Sequence, residues 1–153
     1  MKKRYIVLIV LACVIFFLIS ASITVAPFFL TVTSSNDCNI KYDSYRLVKD
    51  DAGNDIIILK YNLENNGKYI TCFVNECYIE LYQDGVGLIE AYDLPQECNY
   101  NPDDQCRNLK GGASYGIEVA YELTNTTTDV EVILEDYDFF KSKKQTEIIS
   151  ISK

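Results

Sequence analysis

Between Arg4 and Asp37 the sequence carries no charged side chain. Tyr5–Ile19 (YIVLIVLACVIFFLI) is apolar almost without interruption, and ASITVA extends the block to Ala26. A helix of this length would measure ~33 Å, about the hydrocarbon thickness of a bilayer. Pro27 is a natural place for it to stop. Lys2, Lys3 and Arg4 precede the block, so the positive-inside rule predicts a cytoplasmic head at residues 1–4 and a transmembrane anchor or signal segment at 5–30. The remainder, 37–153, is then expected on the outer side of the cell membrane. Three fates fit the segment: an uncleaved single-pass anchor, a signal cleaved after Ser22, or lipidation at Cys13 of Val10-Leu11-Ala12-Cys13. The apolar VIFFLI that follows Cys13 is unlike the polar linker of a lipoprotein.

Charge then narrows the partners. The chain of 153 residues has 14 basic and 22 acidic side chains. Setting aside the three of the basic head leaves eleven basic residues against 22 acidic ones, a charge of −11 on the expected outer part. Such a surface repels phosphate, and no nucleic-acid partner is expected. There is no histidine. This excludes Ser-His-Asp and Cys-His nucleophile systems and any His-ligated metal. No cofactor is implied.

The outer part reads as strands. In Asp55–Leu63 the residues Ile57, Leu59, Tyr61 and Leu63 alternate onto one face, and Asn65-Asn66-Gly67 ends the run. Ile40–Val48 is a strand before it, joined through an Asp/Gly/Asn turn. Tyr69–Tyr82 is aromatic and β-branched, and Gln83-Asp84-Gly85 turns it into a return strand, Val86–Tyr92. Asp93–Lys110, rich in Asn and Asp, is a long loop. Ser114–Leu123 buries Ile117, Val119, Tyr121 and Leu123; Val130, Val132 and Leu134 head the next strand, and Ile148–Ile151 adds an edge. This pattern predicts an all-β protein, an immunoglobulin-like antiparallel β-sandwich preceded by an N-terminal transmembrane helix.

Three blocks carry a family resemblance. Tyr45–Asn66 (YRLVKDDAGNDIIILKYNLENN), Leu81–Leu88 (LYQDGVGL) and the late run from Leu109 through Val119-Ala-Tyr-Glu-Leu-Thr-Asn125 resemble, in this order, telokin-like, immunoglobulin-like exported domains of low-GC Gram-positive bacteria. The resemblance spans most of 39–138. It implies a membrane-tethered sandwich of unknown function and supplies no catalytic residues. The cysteine-bearing loop Glu97–Arg107, Cys72 and Cys77 depart from the pattern.

Five cysteines lie in the expected outer part, where disulfides persist. The turn-rich residues between Cys98 and Cys106 predict that these two pair. Cys38, Cys72 and Cys77 compete for a second bond. Cys72–Cys77 requires Asn75-Glu76 to break the strand; a Cys38 bridge is the alternative. A stapled loop would offer Asn99, Tyr100, Asn101, Asp103 and Asp104 as a binding loop. Asn99, Asn101 and Asp103 alternate like the start of a calcium loop, but Asp104 and Lys110 stand where that template wants Gly and Glu, so no metal site is expected. Tyr78 and Tyr82 share a strand face with Glu80. That arrangement fits either a protein- or carbohydrate-reading surface or a half-buried aromatic face. Glu118 and Glu122 would sit ~13–14 Å apart on a strand, too far for a glycosidase pair.

The expectation is therefore not an enzyme but a cell-surface-anchored domain. It is held by its N-terminal helix and binds a protein or cell-envelope component. An inhibitor or sensor domain of envelope machinery is the alternative, and a carboxylate-dependent hydrolase a further one.

Overall fold

The computed structural model describes residues 37–137 and 144–151. The chain divides into two units, Met1–Ser35 and Asn36–Lys153, and every described residue belongs to the second. The expected membrane helix lies outside the described residues. Among those described, no helix is long and apolar enough to cross a membrane.

The strands are β1 (Cys38–Lys49), β2 (Asp55–Asn65), β3 (Cys77–Gln83), β4 (Val86–Gly87), β5 (Ile89–Glu90), β6 (Ser114–Glu122), β7 (Val130–Asp136) and β8 (Lys144–Ile149). A single helical turn, α1 (Phe73–Glu76), precedes β3. They form two four-stranded antiparallel sheets, β1-β2-β6-β5 and β4-β3-β7-β8. The all-β sandwich reading holds. Ile57, Leu59, Tyr61 and Leu63 of β2 meet Ile117, Val119 and Tyr121 of β6, and Leu81, Val132 and Leu134 of the second sheet close the same core. These are the inward positions expected from period-two alternation.

Two strand expectations are corrected. Tyr69–Tyr82 is not continuous: Thr71 makes an isolated bridge to Leu109, then α1 intervenes before β3 begins. Val86–Tyr92 is likewise not one return strand. β4 pairs with β3, whereas β5 pairs with β6 in the other sheet. The chain changes sheets at Leu88, whose N–H still donates to the Leu81 carbonyl at 2.8 Å. The preceding turn at Asp84 (φ 51°) and Gly85 (φ 78°) has two successive positive φ values, the tight-hairpin geometry that favours Asp-Gly.

The first half of β2, Ile56–Leu59, is buried on both sides. Ile56 and Ile58 point away from the core, yet each is only 1 % exposed. With Ala120 they form a second apolar cluster, covered by Ala91, Leu94 and Tyr100 of the long connection between β5 and β6. That connection contains two short 3-10 turns, Gln96–Cys98 and Pro102–Cys106. Arg46 ties it down, donating to the Cys98 carbonyl at 2.6 Å and to Glu118 at 2.8 Å. Buried Gln105 fastens its second half, donating to Glu90 and to the Tyr100 hydroxyl, each at 3.3 Å.

Two buried amides close the ends of the sandwich. Gln83 Nε2 donates to the carbonyls of Asn125 and Thr128 at 3.0 Å, while its Oε1 accepts from the Thr124 N–H and hydroxyl at 2.9 Å. The turn between β6 and β7, where the chain crosses between sheets, is thereby stitched to β3. Asn65 donates to the carbonyls of Tyr69 and Leu109 at 2.8 and 2.9 Å. Close by, a Cβ on Gly111 would lie 2.2 Å from the Gly67 carbonyl oxygen, so only glycine fits there.

Burial of Ile57 inward and Ile58 outward yields a stability prediction. Ile58→Ala should cost about 2–5 kcal/mol, the same range as Ile57→Ala, in denaturant unfolding. A cost for Ile58→Ala below about 1 kcal/mol would mean that the outward face of β2 is open to water.

Candidate functional site

The expected binding loop exists as a segment but not as a stapled hairpin. Cys98 and Cys106 are both free, Cys98 buried and Cys106 exposed. The Cys98 Sγ is directed at the Lys49 carbonyl, 3.7 Å away. Tyr100 and Gln105, between the two cysteines, are committed to the sheet below. This draws the loop out over β2 and β6 instead of closing it on itself. Cys72 and Cys77 are free as well. The helical turn does break the strand between them, but the Cys77 thiol donates to the Phe73 carbonyl at 3.9 Å. The Cys38 thiol, which the alternative bridge would use, donates to Asn65 Oδ1 at 3.8 Å. The disulfides expected from spacing are thus corrected to free thiols throughout the described residues.

The loop residues divide between outside and inside. Asn99, Asn101 and Asp103 are exposed. Tyr100 is turned onto the second apolar cluster, where burial and the Glu90 carboxylate push its phenol up to about 12. Asn101 caps the second 3-10 turn, accepting from the Asp103 N–H at 3.2 Å. Asp104 is taken by Arg107, which donates twice at 3.1 and 2.6 Å. Three of the five expected residues therefore face solvent, while Tyr100 and Asp104 hold the loop in shape. Among the described residues no group of three or more Cys, Asp or Glu is placed to hold a metal ion.

A second site emerges on the outer face of the second sheet. Register places Tyr78 opposite Glu135, Glu80 opposite Ile133 and Tyr82 opposite Glu131. β8 extends these rows with Lys144, Thr146 and Ile148. Directly opposed residues share a face, so all nine side chains lie on one surface. Tyr78 is 50 % exposed and Ile148 60 %. The tyrosines flank Glu80: Tyr78 donates to Oε1 at 3.2 Å and Tyr82 to Oε2 at 3.1 Å. These hydrogen bonds to an anionic acceptor raise both phenol pKa values. The ring of Tyr82 lies against Gly87 of β4.

The Tyr78-Glu80-Tyr82 alternation was legible in the sequence. Its partners were not singled out, although Glu131, Ile133 and Glu135 alternate against Val130, Val132 and Leu134 in a pattern that marks them as outward. Sequence reasoning also missed a cleft of about 430 Å³ between β1 and β8, lined by Ile40, Tyr42, Tyr61 and Glu147. Burial, and secondarily Glu147, raises the pKa of both tyrosines there. Glu118, half of the rejected acid pair, is bound to Arg46.

Two measurements follow from these environments. Burial and the Glu76 carboxylate push the Cys38 and Cys77 thiols up to about 12. With the native full chain, a thiol reagent at neutral pH should modify Cys106 first and leave Cys77 untouched until denaturant is added. Prompt native labelling of Cys77 would contradict its placement. The raised phenols make a second test. Unfolded tyrosines ionise near pH 10. The folded state holds its phenolic protons to higher pH, so this stabilisation is intact below about pH 10 and is lost as pH rises through the folded pKa values, about 12 for Tyr100. Unfolding should therefore set in between about pH 10 and 12; stability unchanged across that window would refute the tyrosine burial.

No curated protein and no solved structure matches the chain. A family model does, over residues 30–136, from before β1 to the last residue of β7. With that match covering well over half of the sequence, the chain belongs to the family described as a domain of unknown function, DUF5067.

Proposed function

We propose that this protein is a non-enzymatic binding domain held at the outer face of the cell membrane by its N-terminal segment, with a protein or envelope component as partner. We also read it as one of the telokin-like, immunoglobulin-like exported domains of low-GC Gram-positive bacteria, on the blocks Tyr45–Asn66, Leu81–Leu88 and Leu109–Asn125. The observation that carries the binding role is the unequal treatment of the two sheets. The chain lays its own long loop over Ile56 and Ile58 of β2 and Ala120 of β6 on the outward face of the first sheet. The outward face of β3, β7 and β8 carries tyrosines, carboxylates and isoleucines, with Tyr78 and Ile148 at least half exposed. Aromatic side chains with a polar tip are favoured at interfaces because they bring large area at little conformational cost.

The carboxylates give the enzyme alternative little support. Glu118 is paired with Arg46, Asp104 with Arg107 and Asp55 with Lys49. Each of these carboxylates already has a cationic partner within 2.8 Å, so none of the three stands unengaged as an acid–base group.

Topology and surface can be tested together in intact cells producing the full chain. A membrane-impermeant maleimide should label Cys106 without lysis, and a photocrosslinking residue at position 78 should capture an envelope partner while one at position 99 captures less. Labelling of Cys106 only after lysis would end the outer-face reading. Capture from position 99 alone would shift the binding surface to the loop.

A further inference from the structure

We propose that the outer face of the second sheet, centred on Glu80 between Tyr78 and Tyr82, docks an arginine-bearing segment of a partner protein. This rests on the binding role proposed above and specifies its chemistry.

Each oxygen of a carboxylate offers two acceptor sites, and the tyrosines flanking Glu80 occupy one on each. The remaining two are free to receive a fork of two parallel N–H donors. Donors on both sides also fix the carboxylate, so little freedom is lost when a ligand arrives. No cation among the described residues uses these sites: the ion pairs are Arg46–Glu118, Lys49–Asp55, Lys60–Asp43 and Arg107–Asp104.

The surroundings select for positive charge. Glu135 lies opposite Tyr78 and Glu131 opposite Tyr82, so three carboxylates share the face with one ammonium, Lys144. The net acidity of the chain adds long-range attraction for a cationic partner. Phosphate-bearing ligands are repelled by the same field.

Between the two biological cations, the tyrosines favour guanidinium. Its planar fork matches a carboxylate bidentately and stacks on aromatic rings, whereas an ammonium is a compact, strongly hydrated point charge. The chain already uses this combination internally. Arg107 lies 4.8 Å from the centroid of the Tyr115 ring while its guanidinium donates twice to Asp104. Around Glu80 the same tyrosine and carboxylate pieces stand together, with no arginine among the described residues paired to them. Ile133 and Ile148 supply an apolar surface for the methylene stem of the incoming side chain.

The test uses the full chain in detergent micelles at physiological ionic strength, with fluorescently labelled arginine-rich and lysine-rich peptides of equal length and charge. The arginine peptide should bind about fivefold or more tighter than the lysine peptide. Glu80→Gln should weaken arginine binding about tenfold without altering thermal stability, while Asp103→Asn, which removes the same charge from the loop over the other sheet, should change it by less than about twofold. Tyr78→Ala with Tyr82→Ala should erase the preference for arginine over lysine. Equal losses in Glu80→Gln and Asp103→Asn, equal binding of the two peptides, or no binding of either would overturn the proposal. If those results came while position 78 still crosslinked to a partner in cells, the arginine chemistry would fall and the binding role would stand.

Discussion

Burial of the first half of β2, Ile56–Leu59, on both faces is the interaction on which the rest of this structure depends. A strand covered on one side alternates; one covered on both reads as a continuous apolar run, as Ile56-Ile57-Ile58-Leu59 does. The inward half of that run builds the common core with β6, β3 and β7. The outward half demands a cover, and the connection between β5 and β6 supplies it. The sheet change at Leu88 and the Arg46 and Gln105 clamps all serve to bring that connection across the sheet and keep it there.

This division of labour leaves the two outer faces chemically different. Over the first sheet the polar side chains of the loop are largely spent on holding it: Asn101 caps a turn, Asp104 binds Arg107, and Gln105 bridges Glu90 to Tyr100. Over the second sheet, among the described residues, the hydroxyls of Tyr78 and Tyr82 donate to Glu80 alone. Tyr78, Glu80 and Tyr82 form a short hydrogen-bonded row whose charge is unbalanced by any cation among the described residues. The first face thus carries a cover built from the chain itself, and the second is the surface proposed for an encounter.

Much of the inner architecture was legible because it obeys a single period. Ile57–Leu63 and Ile117–Leu123 alternate, and the structure places the expected halves inward. What escaped the sequence were features set by long-range pairing. Ile56 and Ile58 could be seen as apolar, but the polar composition of Asp93–Lys110 gave no sign that its Leu94 and Tyr100 would cover them. Val86–Tyr92 looks uniform in composition, so its division between two sheets, decided by which neighbour has unpaired backbone groups, left no local trace. Cysteine spacing misled for a related reason. Seven residues between Cys98 and Cys106 permit a closed loop, but Tyr100 gains more from the apolar cluster beneath it than a free loop could offer. The candidate face was half legible: Tyr78-Glu80-Tyr82 announced itself, while Glu131 and Glu135 needed the β3–β7 register to join it.

The β5–β6 connection covers Ile56 and Ile58, while the Tyr78 face of the second sheet has no such cover among the described residues. Hydroxyl-radical footprinting of the full chain reads this difference residue by residue. Tyr78 and Ile148, on the open face, should oxidise rapidly, and Ile56, Ile58 and Tyr100, beneath or within the covering loop, slowly. Oxidation of Ile56 and Ile58 at rates matching Ile148 would contradict the account, because the loop would then not be covering the sheet.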